Sequence, residues 1–378
     1  MKTLKKQIPY ILLGATLLLL LGLNIISQDH WLDSDMAAEM IFSRILAGEH
    51  QMVSTTNWYY STEFRVLYTQ LIMGPLFRIC NNWHVIRTIT NLVFYGLMLA
   101  SYYYFMKPLK VSRRLTVLSS CLLLLSFSET MMTHMQMGNT YMSHVILVLW
   151  FFGMYLRLCS GEYSTKRKVS LWIFYVLLAI VCGMSGVRYL LALQCPLVLT
   201  SFFYLLGGEE FQSFRGEMTK EHFRSLLSTD RMRYFLYSLA GAFFAVAGYG
   251  INVVFISHKY VFQTYGATNF IALYHGVLFD RIQNAVGCLL MLFGYIPDKG
   301  FLSLRGIVTM AAFVMLGIYG YVTVKNGKIK QSTGFRSLIT LFLKVSFVLN
   351  LFVFIFTTST MVPRYYITIF IFALPVLF

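Results

Sequence analysis

From Ile8 to Ile26 the chain carries no charged side chain, and comparable apolar runs recur to its end. Runs of about 18 or more apolar residues read as membrane-spanning helices, because lipid offers the backbone no hydrogen-bond partner and a helix satisfies its own groups. The runs are continuous rather than alternating, which excludes a closed barrel of strands. Composition agrees: 57% of the 378 residues are hydrophobic and 12% charged, whereas soluble domains carry roughly 25% charged residues. The expected fold class is all-α, a polytopic helical membrane protein forming a single transmembrane domain over residues 1–378.

The net charge of +16 comes from 31 Lys and Arg against 15 Asp and Glu. In a soluble protein this would point to nucleic acid, but here no basic patch sits on a foldable soluble domain. The cations cluster instead between apolar runs: Lys2, Lys5 and Lys6; Lys107, Lys110, Arg113 and Arg114; Lys166, Arg167 and Lys168; Lys325, Lys328, Lys330 and Arg336. Short cytoplasmic loops collect Lys and Arg, so the amino terminus is expected inside. The run after Lys6 lacks a small-x-small cleavage site and reads as a retained first span rather than a signal peptide. The six cysteines are scattered without a CxxC pair and read as small buried hydrophobes.

About ten spans follow, separated by two long extracytoplasmic segments, 27–84 and 257–304, and one long cytoplasmic loop, 207–233. A re-entrant stretch is expected over Phe279–Ile296, and Asp35–Ala47 is expected to form a short amphipathic helix with Met36, Met40, Ile41 and Ile45 on one face. The last span begins at Tyr365 and reaches only Phe378, too short to cross, so the chain is expected to be incomplete there. This topology puts nine of the fifteen acidic residues outside.

Six of those acids lie in the first outer segment: Asp29, Asp33, Asp35, Glu39, Glu49 and Glu63. Asp33 and Asp35 are the candidate chemistry. Two carboxylates at i and i+2 can share a proton or a divalent cation, and crowding them raises one pKa towards that of a general base. The same spacing also suits Asp33 as a helix cap with Asp35 in the favourable first turn. Glu49 and Glu63 read as solvated loop residues. Arg364, next to Tyr365, and Arg188 face the same side, where a guanidinium can grip a phosphate with two parallel bonds or simply snorkel to the interface. Glu129, His134 and His144 flank another outer turn, where they can contact an acceptor or complete a metal site. Trp31, Trp58, Tyr59 and Tyr60 are candidates to stack on a sugar ring.

A first span, an outer segment with the acidic pair Asp33-Ser34-Asp35, a short helix, and the apolar stretch Tyr68-Thr69-Gln70-Leu71-Ile72-Met73-Gly74-Pro75-Leu76 before the second span resemble the GT-C glycosyltransferases. These include the protein O-mannosyltransferases and the aminoarabinose transferases of lipid A. The resemblance implies a bacterial plasma-membrane enzyme whose outer-face site takes a sugar from a polyprenyl-phosphate donor with inversion. It makes Asp33 or Asp35 the base or a metal ligand, and Arg364, Tyr365 and Arg188 the lipid-phosphate contacts. It leaves the acceptor unspecified. A transporter or flippase of a lipid-linked or polymeric substrate, and a lipid-linked polymer polymerase or ligase, are the competing readings. The first of these calls for charge at mid-membrane depth, for which Lys344 and Asn350 are the main candidates.

Overall fold

A computed structural model describes residues 2–377 apart from 62, 126–127, 139, 162, 208–228, 264–268, 272–276, 301 and 328–333. Most of the expected cytoplasmic loop 207–233, and part of the second outer segment, therefore lie outside the described residues. Helices dominate: α1 (Lys2–Ile26), α2 (Ser34–Gly48), α3 (Gln70–Phe77), α4 (Trp83–Met106), α5 (Arg113–Leu124) and α6 (Met142–Ser160) are followed by α7 (Thr165–Met184) and α8 (Cys195–Leu206). Then come α9 (Asp230–Ile251), α10 (Val277–Leu292), α11 (Leu304–Gly327), α12 (Phe335–Phe356) and α13 (Ile367–Leu377).

Local chemistry sets many of the helix starts. Asn82, Ser112 and Thr229 each cap the next helix, accepting from the backbone N–H of Val85, Leu115 and Met232 respectively, which satisfies donors that a helix start leaves unpaired. Among the described residues seven helices are long and apolar enough to cross a membrane, or eight if Arg113–Leu124 and Glu129–Met137 are counted as one bent span. The remaining apolar helical segments in the expected count of ten, Leu190–Leu206 and Pro363–Leu377, are shorter. The stretch expected to re-enter the membrane forms α10.

The bundle is organised around α6, whose apolar stretch is 94% buried, whereas that of α11 is only 6% buried. Ile307, Val314 and Ile318 on α11 are 58–60% exposed. Such a continuous apolar surface calls for lipid. Inside, Phe105, Phe152, Phe342 and Phe372 join four helices through ring contacts 4.9–5.6 Å between centroids. α7 and α9 pack closely where small residues let backbones meet: a Cβ on Gly183 would overlap the Ala245 carbonyl, and one on Gly248 the Ile180 carbonyl. This is the small-residue contact typical of helices in lipid, where dispersion rather than water drives packing.

The two ends of the bundle differ. One gathers residues 107–110, 157–160, Tyr163, 230–234 and 334–336 around a cavity. The other gathers the acidic segment, α3, and the turns around 132–142, 185–190 and 363–366. Two two-residue strands, β1 (Tyr59–Tyr60) and β2 (Val261–Phe262), pair in parallel there, with Tyr59 opposite Val261 and Tyr60 opposite Phe262. Tyr60, Phe64, Tyr260 and Phe262 pack ring against ring over this pairing. The two long segments thus meet, and Tyr60 is used in the joint, with Trp58 packed against Phe42. Three single π-helical stretches, Met132–Met137, Leu190–Gln194 and Asn252–Ile256, also sit at this end; such bulges often mark functional sites.

Candidate functional site

The site begins with the cap of α2. Asp33 is extended, and its Oδ1 accepts from the Met36 N–H at 2.8 Å. That leaves Asp35 in the first helical turn, its side chain 59% exposed, with Oδ2 3.8 Å from Nη1 of Arg364. Pro363 opens the 3-10 turn that presents this arginine, and the guanidinium is itself 33% exposed. Tyr365 stacks against Phe354, with centroids 5.0 Å apart and planes 12° from parallel. His134, on the first π-helical stretch, lies within electrostatic reach of Asp35, Arg364 and Arg188, and its Nδ1 is 2.9 Å from the Thr140 hydroxyl.

The face of α2 that turns inward holds Met36 and Met40, as its apolar residues suggest, but not Ile41. Met36, Glu39, Met40, Ser43, Leu46 and Ala47 are buried, while Ile41 is 46% exposed. Glu39 becomes the centre of a second cluster. The Tyr68 hydroxyl donates to its Oε1, and Arg65 and Arg87 approach at 3.5 and 3.6 Å. Burial raises the Glu39 carboxyl to a pKa of about 6, against the opposing pull of Arg87, Arg65 and Tyr68. A buried carboxylate is costly unless paired and hydrogen-bonded, and here the desolvation outweighs the partners.

Glu63 corrects the expectation of a solvated loop residue. Its side chain is only 13% exposed and bridges Arg188, at 2.6 Å, to Arg65, at 3.4 Å. A small pocket of about 20 Å³ opens beside it, lined among others by Thr140, Ser143, His144 and Arg188. That is room for about one water. His144 is buried between Tyr141 and Tyr189, with ring centroids 5.0 and 4.5 Å away. Neither of its ring nitrogens has a hydrogen-bond partner among the described residues.

Arg87 holds this end together. Its Nε donates to the Met137 carbonyl at 3.2 Å and its Nη2 to the Gly138 carbonyl. Asn91 donates to the Met137 carbonyl at 3.0 Å and Tyr95 to that of Gln136, while Asn24 of α1 donates to Tyr95 at 2.8 Å. The last two carbonyls of the π-helical stretch carrying His134, and that of Gly138, are thereby satisfied from α4, as buried backbone groups require.

Of the residues singled out in the sequence, the fold brings Asp35, Arg364 and His134 together, and sets Arg188 beside His144. Asp33 is turned to its backbone cap, and Glu129 is exposed in the turn Glu129–Met131, which packs against 363–366. Among the described residues no three His, Cys, Asp or Glu side chains converge as a metal site would need. Sequence reasoning missed Glu39, Arg65, Tyr68 and Arg87. A signal for the last existed: Arg87, Asn91 and Tyr95 are four apart along an otherwise apolar span, a polar stripe that can only face inward.

Comparison with protein-family models, with curated proteins and with solved structures yields no match for this chain.

Proposed function

We propose that this is an integral-membrane glycosyltransferase with about ten spans and two long outer segments. It transfers a sugar, with inversion, from a polyprenyl-phosphate donor to an acceptor on the extracytoplasmic face of a bacterial plasma membrane. The observation that carries this reading is the apposition of Asp35 and Arg364. A half-exposed carboxylate and a partly exposed guanidinium, from the first outer segment and the last outer turn, meet at the same end of the bundle.

The pair divides the reaction into two roles. Asp35 takes the proton of the acceptor hydroxyl as its oxygen bonds to the anomeric carbon from the face opposite the phosphate. The bond from that carbon to the phosphate oxygen breaks, and the leaving polyprenyl phosphate carries the electron pair and the negative charge. Arg364 holds that charge, which a guanidinium does well through paired bonds. The acid pair suits a divalent cation poorly: Asp33 spends Oδ1 on its cap, and Asp35 already faces a guanidinium. The alternative of a transporter gains nothing from α12, where Lys344 is exposed and Asn350 bonds its own helix at Ser346.

The test is transfer from a labelled polyprenyl-phosphate sugar in membranes carrying the full chain. Asp35→Asn is expected to lower transfer by about 10²–10⁴-fold, and Asp33→Asn far less. Full transfer by Asp35→Asn and Arg364→Ala overturns the reading.

A further inference from the structure

At the other end of the bundle, between the ends of α4 and α6 and the starts of α9 and α12, lies a cavity of about 480 Å³. Small-molecule sites run from about 300 to 1,000 Å³, so it is large enough for a head group. Its described lining includes the cations Lys107, Lys110, Arg157 and Arg336 against one carboxylate, Asp230. Asp230 is in turn paired with Arg233, so among the described residues no lining carboxylate is left to balance Lys107, Arg157 and Arg336.

The four cations are not equivalent. Lys107, Lys110 and Arg336 are exposed at the rim. Arg157 lies beneath them, only 7% exposed. Its guanidinium is held 3.5 Å over the Tyr104 ring, and one of its N–H groups donates to the Gly153 carbonyl at 2.8 Å. Tyr163 also hydrogen-bonds to it, but a guanidinium has five donors, so these two partners do not exhaust its fork. Among the described residues no carboxylate pairs with it. The start of α12 adds to the field: Gly334 provides no side-chain cap, and a helix N-terminus carries partial positive charge.

Lysines at this end are what the positive-inside bias alone would supply. That bias does not bury an arginine under them or leave a head-group-sized space between four helices. We propose that this cavity binds a phosphate group, either on the head of an anionic phospholipid of the adjoining leaflet or as free phosphate. Arg157 grips the phosphate from below, and Lys107 and Arg336 close on it from the rim. Basic pockets between spans at the cytoplasmic side bind anionic head groups by this means. The proposal does not depend on the sugar-transfer reading.

The experiment uses the full chain in nanodiscs of phosphatidylcholine, with and without phosphatidylglycerol, and in phosphatidylcholine with inorganic phosphate added. The thermal midpoint is read for the wild type, for the rim variant Lys107→Gln with Arg336→Gln, and for Arg157→Gln. Because the rim residues are exposed, their replacement leaves folding intact even if Arg157→Gln does not. The lipid source is shown by a midpoint raised by phosphatidylglycerol, with the rim variant losing at least half of the rise and binding about tenfold or more weakly. A rise with inorganic phosphate alone, lost in the same variant, assigns the site to free phosphate. No rise with either, or an equal rise in the rim variant, overturns the proposal.

Discussion

Glu39 offers the most direct test of the physics at the candidate site. Its carboxyl has an ordinary pKa of 4.5 and is raised to about 6 in the folded protein, with burial first among the causes. That difference corresponds to ~2 kcal/mol between the protonated and ionised forms. The folded protein holds this proton more tightly than the unfolded chain, so the contribution is fully present below pH 4.5, declines as pH rises to about 6, and is gone above it. The hydrogen bond that the Tyr68 hydroxyl donates to Glu39 works against this shift, because it favours the ionised carboxylate, but burial outweighs it. Glu39→Gln keeps the shape and a donor but cannot titrate. Thermal unfolding of wild type and variant in detergent, followed from about pH 4 to 7.5, isolates the effect, since every other titrating group is common to both. The difference in stability is expected to drop by ~2 kcal/mol between pH 4.5 and about 6 and to stay level above. A flat difference, or one that rises with pH, would refute the reasoning, because it would mean that the arginines hold the carboxylate ionised.

Three further outcomes follow from the packing. Asp35 and Arg364 are exposed enough that Asp35→Asn should change stability by less than ~1 kcal/mol, so any loss of transfer must appear without a lower unfolding midpoint in the same preparation. Arg87→Leu removes a buried cation from Glu39 and from two carbonyls and should cost about 3–5 kcal/mol. Arg87→Lys should not restore it, since an ammonium cannot reproduce the fork; limited trypsin digestion near 129–142 reports both. Gly183→Val or Gly248→Val should separate α7 from α9 and lower the unfolding midpoint, while Gly250→Ala, with nothing within 4 Å of the added carbon, should leave it unchanged.

The sequence alone determined the helical class, the placement of most helices and the cap of α2. These are local properties: a long apolar run has only a helix with which to satisfy its backbone in lipid, and a cap depends on residues three apart. The separation into two ends was legible too, because basic clusters flank the same helix ends that meet around the cavity of about 480 Å³. Which acids matter was not legible. Asp33 and Asp35 look alike as letters, yet one serves its own backbone and the other faces an arginine from the turn Pro363–Tyr366. Glu63 looks like a solvated loop residue and nothing singles out Glu39, yet both are enclosed by arginines from distant segments. Reading α2 by its apolar residues placed Met36 and Met40 on the inner face but set Ile41 with them and left Glu39 out. Beside a membrane an apolar side chain such as Ile41 can face outward at no cost, and it is the polar residue that gains by facing in. Only the tertiary structure, by setting what lies across from each side chain, decided that Glu39 is buried and Ile41 is not.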